Sequence, residues 1–309
     1  MLRKIILLAG PTGVGKTALS LELAERLGTE IVNADSMQVY RYMDIGTAKP
    51  TAEERSRVRH HLLDVVDPDE SFDSAHFVEL ATPVLDALHG QGKIPLVVGG
   101  TGLYMKVLTR GICAGAPGDP VIREMLLHEE QERGLGALHA ELLQVDPVLG
   151  KKFHSNDRQR IIRALEVFRL TGKPLSHWQA EHRFAQTLYP SIKIFLFRER
   201  EEIYDRINRR VLSMMEQGFL EEVRSLLERG YDPGLKPVQS LGYKEMTQHL
   251  LGKCSLDEAV DQTQRESRRY AKRQMTWFRG DPEFKWLKAE AEEEIGDAVS
   301  RLIGESVSR

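Results

Sequence analysis

The chain has 309 residues, of which 41% are hydrophobic and 29% are charged. This composition is that of a folded protein with one large or two modest domains and a substantial core. No apolar run approaches the roughly 18 residues that a membrane helix needs, and the run after Lys4 is too short for a signal peptide. We therefore expect a cytoplasmic protein with no membrane contact.

The charge and the cysteines narrow the class of protein further. The formal net charge is -3, but two windows, 151–173 and 265–279, hold several more basic than acidic residues. Local basic segments of this kind are compatible with nucleic-acid binding despite an acidic total. Cys113 and Cys254 lie far apart, and neither has a second thiol or a histidine pair at metal spacing beside it. We expect neither a disulfide nor a zinc site.

The segment Gly10-Pro11-Thr12-Gly13-Val14-Gly15-Lys16-Thr17 follows an apolar run and precedes a helical pattern. It is a complete phosphate-binding loop, typical of nucleotide-binding proteins such as those that bind ATP. Its glycines let backbone N–H groups converge on phosphate oxygens at a helix N-terminus, its lysine adds a charge, and its threonine hydroxyl can bind Mg²⁺. The segment predicts a site for a polyphosphate and is poorly explained as a tight turn alone.

Apolar strand candidates alternate with amphipathic helices over the first hundred residues. Strands are predicted near 4–9, 30–34, 94–98 and 192–197. Leu19, Leu23 and Leu27 predict a helix that begins near Thr17 and ends at Gly28, a normal left-handed residue after a helix. The alternation predicts an α/β fold, with a parallel sheet that helices cover on both faces.

The strand pattern disappears between about 118 and 189 and returns only with the strand at 192–197. We therefore predict a helical insertion, 118–189, in an α/β core formed by 1–117 and 190–309. Helices are expected over roughly 201–229, 240–250, 256–279 and 290–303.

Polar groups follow two of the predicted strands, at the edge where open α/β sheets hold their ligands. Asp35 follows the strand at 30–34, and Thr101 follows the strand at 94–98 within the segment Gly99-Gly100-Thr101-Gly102. An aspartate at a strand end also commonly caps the next helix. The position at the crevice favours a chemical role for Asp35.

An ATP-hydrolysing enzyme would place a second acidic residue at a strand end to hold Mg²⁺. The strand at 94–98 is followed by glycines instead. The residues that precede Asp64 form only a weak apolar pattern for a strand. This disfavours a conventional ATPase and favours an enzyme that uses the loop to hold a leaving diphosphate.

Several basic residues fit either an anion site or a solvated surface. Arg160 and Arg163 lie on one edge of a helix, as an RNA-facing or a merely solvated face would place them. The window 265–279 interleaves aromatic residues with cations, which is typical of base-stacking surfaces but also of a packed core. Arg206 and Arg210 are one helical turn apart, so they could share an anion or pair with acids such as Glu202.

His60 and His61 lack metal spacing, and we interpret them as structural.

Eight segments of the chain resemble those of the bacterial tRNA dimethylallyltransferase family, in the family's order and over nearly the whole length. They are GPTGVGKT at 10–17, ADSMQVYR at 34–41, GTAKP at 46–50, HHLLDVVDP at 60–68, VVGGTGLY at 97–104, NDRQRIIRALEV at 156–167, SLGYKE at 240–245 and RRYAKRQMTWFR at 268–279. The residues at Val14 and Leu241 depart from those common in the family, and neither carries chemistry.

The resemblance implies a P-loop NTPase-like parallel sheet flanked by helices, with a helical tRNA-binding insertion and C-terminal helices. It implies transfer of a dimethylallyl group from dimethylallyl diphosphate to N6 of the adenosine immediately 3′ of the anticodon, with release of diphosphate. Mg²⁺ is expected as the cofactor, bound at Thr17. The expected partners are the tRNA anticodon stem-loop and dimethylallyl diphosphate, and we expect a monomer.

The same resemblance assigns the site residues. Asp35, as general base, and Thr101 are expected to be catalytic. The diphosphate is expected on Gly10, Thr12, Gly13, Val14, Gly15, Lys16, Thr17 and Arg210, with Arg206 as the alternative to Arg210. The tRNA is expected on Asp35, Ser36, Met37, Gln38, Thr101, Arg123, Gln159, Arg160, Ile161, Ile162, Arg163, Ser240, Leu241, Gly242, Tyr243, Lys244 and Glu245.

Two other classes of protein share the loop and the crevice. A P-loop nucleotide or small-metabolite kinase would turn over ATP with a small acceptor. A non-catalytic RNA-binding NTPase would bind RNA tightly and form no covalent product from any diphosphate donor.

Overall fold

The computed structural model of the chain describes residues 3–112, 118–182, 186–289 and 297. The chain divides into two compact units. The core unit comprises Met1–Thr109 and Tyr189–Arg309, and the helical unit comprises Arg110–Leu188. The predicted role of the inserted helices in binding tRNA stays a prediction.

Within the described part of the core unit, six parallel strands form one sheet. They are β1 (Ile5–Ala9), β2 (Ile31–Asn33), β3 (His60–His61), β4 (Leu96–Gly99), β5 (Ser191–Phe197) and β6 (Lys285–Lys288). Their order across the sheet is β3-β2-β4-β1-β5-β6. Ala9 lies beside Gly99 and Phe195, so the loops that follow the central strands leave the same edge.

The central strands are apolar on both faces because helices cover both sides of the sheet. Ile5 and Leu7 pack into one hydrophobic cluster with Phe77. Ile6 and Leu8 pack into a second cluster on the opposite face. The predicted α/β sheet is confirmed, whereas the short strands β3 and β6 were not predicted.

The helices of the core unit begin and end at residues with clear local causes. They are α1 (Lys16–Leu27), α2 (Ala52–Arg57), α3 (Ser74–Gly90), α4 (Gly102–Arg110), α10 (Arg200–Glu216), α11 (Phe219–Glu228), α12 (Tyr243–Leu250) and α13 (Leu256–Arg279). Helix α1 ends as predicted, at Gly28 with φ 57°. The helix predicted at 256–279 is also confirmed.

Two helix predictions are corrected by glycines with positive φ, and one cannot be compared. The helix predicted over 201–229 is in fact α10 and α11, because Gly218, with φ 95°, caps the start of α11. The helix predicted at 240–250 begins only at Tyr243, after Gly242 with φ 86°. The helix predicted at 290–303 lies outside the described residues.

The helical unit packs its helices around a small core of its own. They are α5 (Pro120–Arg133), α6 (Leu135–Val145), α7 (Pro147–Lys152), α8 (Arg158–Thr171) and α9 (Leu175–His182). Leu126, Leu138, Leu142 and Leu165 are fully buried between them. The unit therefore has a separate hydrophobic core.

Over the residues described, the structure holds no helix with the length and apolar character needed to cross a bilayer. Cys254 carries a free thiol, and Cys113 lies outside the described residues.

Candidate active site

The loop between β1 and α1 has the geometry that its glycines predict. Gly13 and Gly15 have φ values of 80° and 107°, which residues with a Cβ rarely adopt. Helix α1 begins at Lys16, so the first amides of the helix have no carbonyl partner one turn earlier. These amides are donors for an anion at the helix N-terminus.

Lys16 is held over this loop by two carbonyls. Its Nζ donates to the Gly10 oxygen at 2.8 Å and to the Pro11 oxygen at 3.0 Å. Burial lowers the pKa of Lys16 to about 8, while the charge of Asp35 raises it and that of Arg210 lowers it further. Burial thus disfavours the protonated form of Lys16, and a bound anion would stabilise that form.

Asp35 lies two residues beyond the end of β2, and Thr101 lies two residues beyond the end of β4. The Oδ1 of Asp35 accepts a hydrogen bond from the Met37 amide at 2.9 Å, and the next helix begins only at Ala52. Asp35 therefore closes a turn and does not cap a helix. The Ser36 amide donates to Thr101 Oγ1 at 3.0 Å, so the two predicted catalytic residues belong to neighbouring, hydrogen-bonded loops.

Gln274 of α13 joins the phosphate-binding loop to the end of β4. Its Oε1 accepts from the Thr12 amide at 2.9 Å, and its Nε2 donates to the Gly100 oxygen at 3.2 Å. Sequence reasoning missed this residue. The available signal was a stripe of polar residues at helical spacing, Thr263, Ser267 and Gln274, all of them buried. Because the Thr12 N–H donates its hydrogen bond to Gln274, it is not directed at a ligand.

A cavity of about 790 Å³ opens between these elements, a size typical of sites for cofactors and small substrates. It brings together many of the residues predicted for the diphosphate and the tRNA. These are Thr12, Gly13, Val14, Gly15, Lys16, Thr17, Asp35, Ser36, Met37, Gln38, Arg210, Ser240, Leu241, Gly242 and Tyr243. Wall residues that were not predicted come from 46–48, from α10 and α11, and from α13, and include Arg209, Phe219, Tyr270, Arg273 and Gln274.

Arg206 and Arg210 both line the cavity beside the phosphate-binding loop. Arg206 Nε donates to the Gly13 oxygen at 2.8 Å. Burial lowers the pKa of Arg210, which the charge of Asp35 opposes and that of Arg206 reinforces. Glu202, the acid considered as their partner, pairs with Arg198 instead. The loop end of the cavity is therefore strongly positive.

Four of the predicted residues in the core unit do not line the cavity. Gly10 begins the loop, and Thr101 contacts Ser36 as described. The side chain of Lys244 is exposed. Glu245 is buried and accepts from the Gly242 amide at 2.8 Å, which caps the start of α12.

The remaining predicted residues lie in the helical unit. Arg123 and Arg163 both donate to Glu166 Oε2, at 2.9 Å and 2.7 Å, and Glu166 is fully buried. Burial acts to raise the pKa of Glu166, but hydrogen bonds from Arg163, Arg123 and the Asp119 amide outweigh it, so the pKa is lowered. The buried carboxylate therefore holds both arginines on one side.

Helix α8 divides its other predicted residues between surface and core. Gln159 and Arg160 are exposed, and Arg160 pairs with Asp157 at 3.0 Å. Ile161 and Ile162 belong to the core of the helical unit, so their side chains pack inward. The exposed residues of this helix are the ones available to a partner.

Asp64, His60 and His61, considered above as possible metal ligands, lie outside the cavity. Asp64 bonds to Lys49 and to Arg55, so its carboxylate is occupied by two cations. His61 contacts Glu30 at 2.7 Å, and His60 contacts the Val58 oxygen at 2.8 Å. Among the described residues, no three side chains of the His, Cys, Asp and Glu types form a cluster that could hold a metal ion.

Comparisons with known proteins identify the family of the chain. A sequence model of the family described as IPP transferase matches residues 38–281. The chain is 62% identical over 302 residues to the tRNA dimethylallyltransferase of Syntrophobacter fumaroxidans, covering 98% of this chain and 87% of that protein. It is 52% identical over 285 residues to the enzyme of that name from Geobacter sulfurreducens, covering 92% of each.

Solved structures show the same fold. The tRNA isopentenylpyrophosphate transferase of Bacillus halodurans superposes with a TM-score of 0.74 at 42% identity, over 99% of this chain and 98% of that one. A eukaryotic dimethylallyltransferase acting on tRNA gives a TM-score of 0.78 at 31% identity, over 93% and 74% of the two chains. These relatives give no support to the kinase alternative. The chain belongs to the IPP transferase family, and its relatives identify it as a tRNA dimethylallyltransferase.

Proposed function

We propose that the chain transfers a dimethylallyl group from dimethylallyl diphosphate to N6 of the adenosine immediately 3′ of the anticodon, releasing diphosphate. The observation that carries this proposal is a single cavity with a phosphate-binding loop and the Asp35 carboxylate in its wall. A diphosphate needs the phosphate-binding loop, and a weakly nucleophilic amine needs the carboxylate as a base.

The loop end of the cavity suits the leaving group. When the allylic C–O bond breaks, negative charge grows on the diphosphate, and the allylic carbon tolerates positive charge. Fixed donors aimed at that growing charge lower the barrier without having to reorganise. We assign this task to the first amides of α1, to Lys16 and to Arg210, with Arg206 beside it.

Thr17 is the residue that suits Mg²⁺. This ion commonly keeps several waters and binds through one or two protein oxygens together with substrate phosphates, so it does not need a cluster of protein carboxylates. The Thr17 side chain lines the cavity in the first turn of α1, next to Lys16. Bound there with the diphosphate, Mg²⁺ would neutralise charge on the leaving group.

The Asp35 end suits the acceptor. The lone pair of the adenine N6 amine is delocalised into the ring, so a base that takes its proton assists attack. As the new C–N bond forms and the C–O bond breaks, the N6 proton passes to the Asp35 carboxylate. The target base must leave its stack to reach this group, at a cost of a few kcal/mol that contacts with the RNA offset.

We further propose that the helical unit binds the anticodon stem-loop through exposed residues such as Arg160 and through Arg123 and Arg163. The exposed basic residues of α13 would add phosphate contacts. The active species is proposed to be a monomer.

The proposal is tested by mixing the purified chain with Mg²⁺, labelled dimethylallyl diphosphate and an unmodified tRNA that has adenosine 3′ of the anticodon. Label that enters the RNA, with one diphosphate released for each label, supports it. Consumption of ATP in the presence of a small acceptor, with no label in the RNA, contradicts it.

Affinity for tRNA is expected to fall steeply with salt. Phosphate contacts by several basic residues release counterions, so Kd should rise at least about tenfold between about 50 and 200 mM salt. Arg160→Ala should lower the slope of log Kd against log salt by about one. Filter binding over a salt series measures both, and a Kd that stays constant over the series contradicts the proposed interface.

Affinity for diphosphate is expected to fall as the pH rises above the pKa of Lys16. That pKa is about 8 in the empty protein, and a bound anion favours the protonated lysine. Binding above this pH must therefore take up a proton, so Kd should rise by up to about tenfold for each further pH unit. Calorimetric titration with diphosphate at pH 7 and pH 9 measures the effect.

Lys16→Met is the control for that titration, because it removes the titrating group and should remove most of the pH dependence. Equal wild-type affinities at the two pH values would show that the charge of Lys16 does not contribute to binding.

A further inference from the structure

The carboxylate of Glu222 accepts four hydrogen bonds, two of them from the cavity-lining residues Gly46 and Tyr243. Its Oε2 accepts from the amides of Asp44 and Ile45, at 2.8 Å and 2.7 Å. Its Oε1 accepts from the Gly46 amide at 3.1 Å and from the Tyr243 hydroxyl at 2.6 Å. Three consecutive amides converging on one anion form a backbone nest. Glu222, which lies in α11, therefore holds the backbone of the segment 44–46 in place.

The segment held by Glu222 packs tightly against two aromatic rings. A Cβ built at Gly46 would lie 2.2 Å from the Phe219 ring and 2.6 Å from the Tyr243 ring. Gly46, Phe219 and Tyr243 all line the cavity. Burial, together with the charge of Glu222, raises the pKa of Tyr243 well above its usual value, so the phenol remains a donor. A small displacement of the segment would therefore move the cavity wall.

The next two residues of this wall orient Gln38. Its Nε2 donates to the carbonyl oxygens of Thr47 and Ala48, each at 3.0 Å. Both hydrogens of the side-chain amide are used, which leaves the oxygen of Gln38 to accept from a ligand. Gln38 lines the cavity three residues after Asp35. The hold of Glu222 on the segment thus extends to the side of the cavity where Asp35 lies.

We propose that Glu222 is a positioning residue for the acceptor base. It holds the segment 44–48, and through that segment it holds Gln38, in the place that the adenine requires. This inference rests on the proposed function, because that function assigns the adenine to the Asp35 end of the cavity. The diphosphate end is built from the loop 10–15 and from Arg206 and Arg210, none of which bonds to Glu222.

The variant E222Q tests this inference. Glutamine has one acceptor oxygen in place of two, so either the amides of Asp44 and Ile45 or the Gly46 amide and the Tyr243 hydroxyl lose their acceptor. We expect kcat/KM for tRNA to fall about tenfold or more, with Kd for diphosphate within about twofold of wild type, because the donors that lose an acceptor belong to the segment 44–46 and to Tyr243, and none belongs to the loop end of the cavity. Y243F, which removes one of the four donors, should produce a smaller loss in the same parameter.

The neighbouring variant E221Q is the matched control. Glu221 is exposed and pairs only loosely with Arg224, at 3.6 Å, so E221Q should retain wild-type values. A wild-type kcat/KM for tRNA in E222Q overturns the inference. Equal losses in tRNA turnover and diphosphate affinity also overturn it, because they indicate general destabilisation.

Product formation by the wild-type chain, measured alongside, tests the proposed function separately. If the wild-type chain prenylates tRNA and E222Q does so equally well, the inference alone fails.

Discussion

Replacing Asp35 with Asn is expected to lower kcat by a factor on the order of 10²–10⁴, the usual cost of losing a general base. The amide oxygen of asparagine can still accept the Met37 hydrogen bond that closes the Asp35 turn. It cannot take the N6 proton of the adenine. The loss should therefore appear in single-turnover rates, while Kd for tRNA and for diphosphate change little.

Asp35→Asn separates chemistry from folding better than a truncation to alanine, which would also remove the turn. Asp69→Asn offers a matched control on the same unit, because Asp69 is exposed and does not line the cavity. A folded Asp35→Asn enzyme with a wild-type single-turnover rate would rule out Asp35 as the base.

Replacing Lys16 with Met is expected to lower kcat/KM for dimethylallyl diphosphate by a factor on the order of 10²–10³, as for the loss of a fixed donor to a developing anion. Methionine has a similar length but carries no charge. It also leaves the carbonyls of Gly10 and Pro11, which now accept from Nζ, without this donor. The initial rate at several concentrations of the diphosphate donor, with tRNA saturating, measures the loss.

The effect of Lys16→Met should be confined to the donor. Affinity for tRNA alone should stay near wild type, because Lys16 is only partly exposed and lies at the loop end of the cavity. Lys253→Met, at an exposed position far along the chain, is the control for charge removal. A variant that binds the diphosphate donor as tightly as wild type and reacts as fast would show that Lys16 has no role in holding the leaving group.

The parts of the site that sequence reasoning predicted are those with local causes. The phosphate-binding loop depends on glycines at fixed spacing between a strand and a helix, and all of these lie within a few residues of one another. The neighbourhood of Asp35 and Thr101 was predictable because the carboxyl ends of parallel strands meet at one edge of a sheet.

The parts that were missed depend on contacts between distant segments. Gln274 bonds to Thr12 and Gly100, which are far from it in sequence, and nothing near Gln274 indicates either partner. The same holds for Glu222 and the segment 44–46. Strands β3 and β6 have two and four residues, too few to show a period of their own. The break at Gly218 had a local signal, a glycine within a helical pattern, which the continuous helix predicted at 201–229 ignored.

The most direct test of the account is nucleoside mass spectrometry of tRNA after reaction with dimethylallyl diphosphate. Two transcripts that differ only in the base 3′ of the anticodon, adenosine in one and guanosine in the other, are compared. The account predicts an adenosine with the dimethylallyl group on N6 from the first transcript and no prenylated nucleoside from the second. Equal prenylation of both transcripts, or a dimethylallyl group on any other nucleoside, would contradict it.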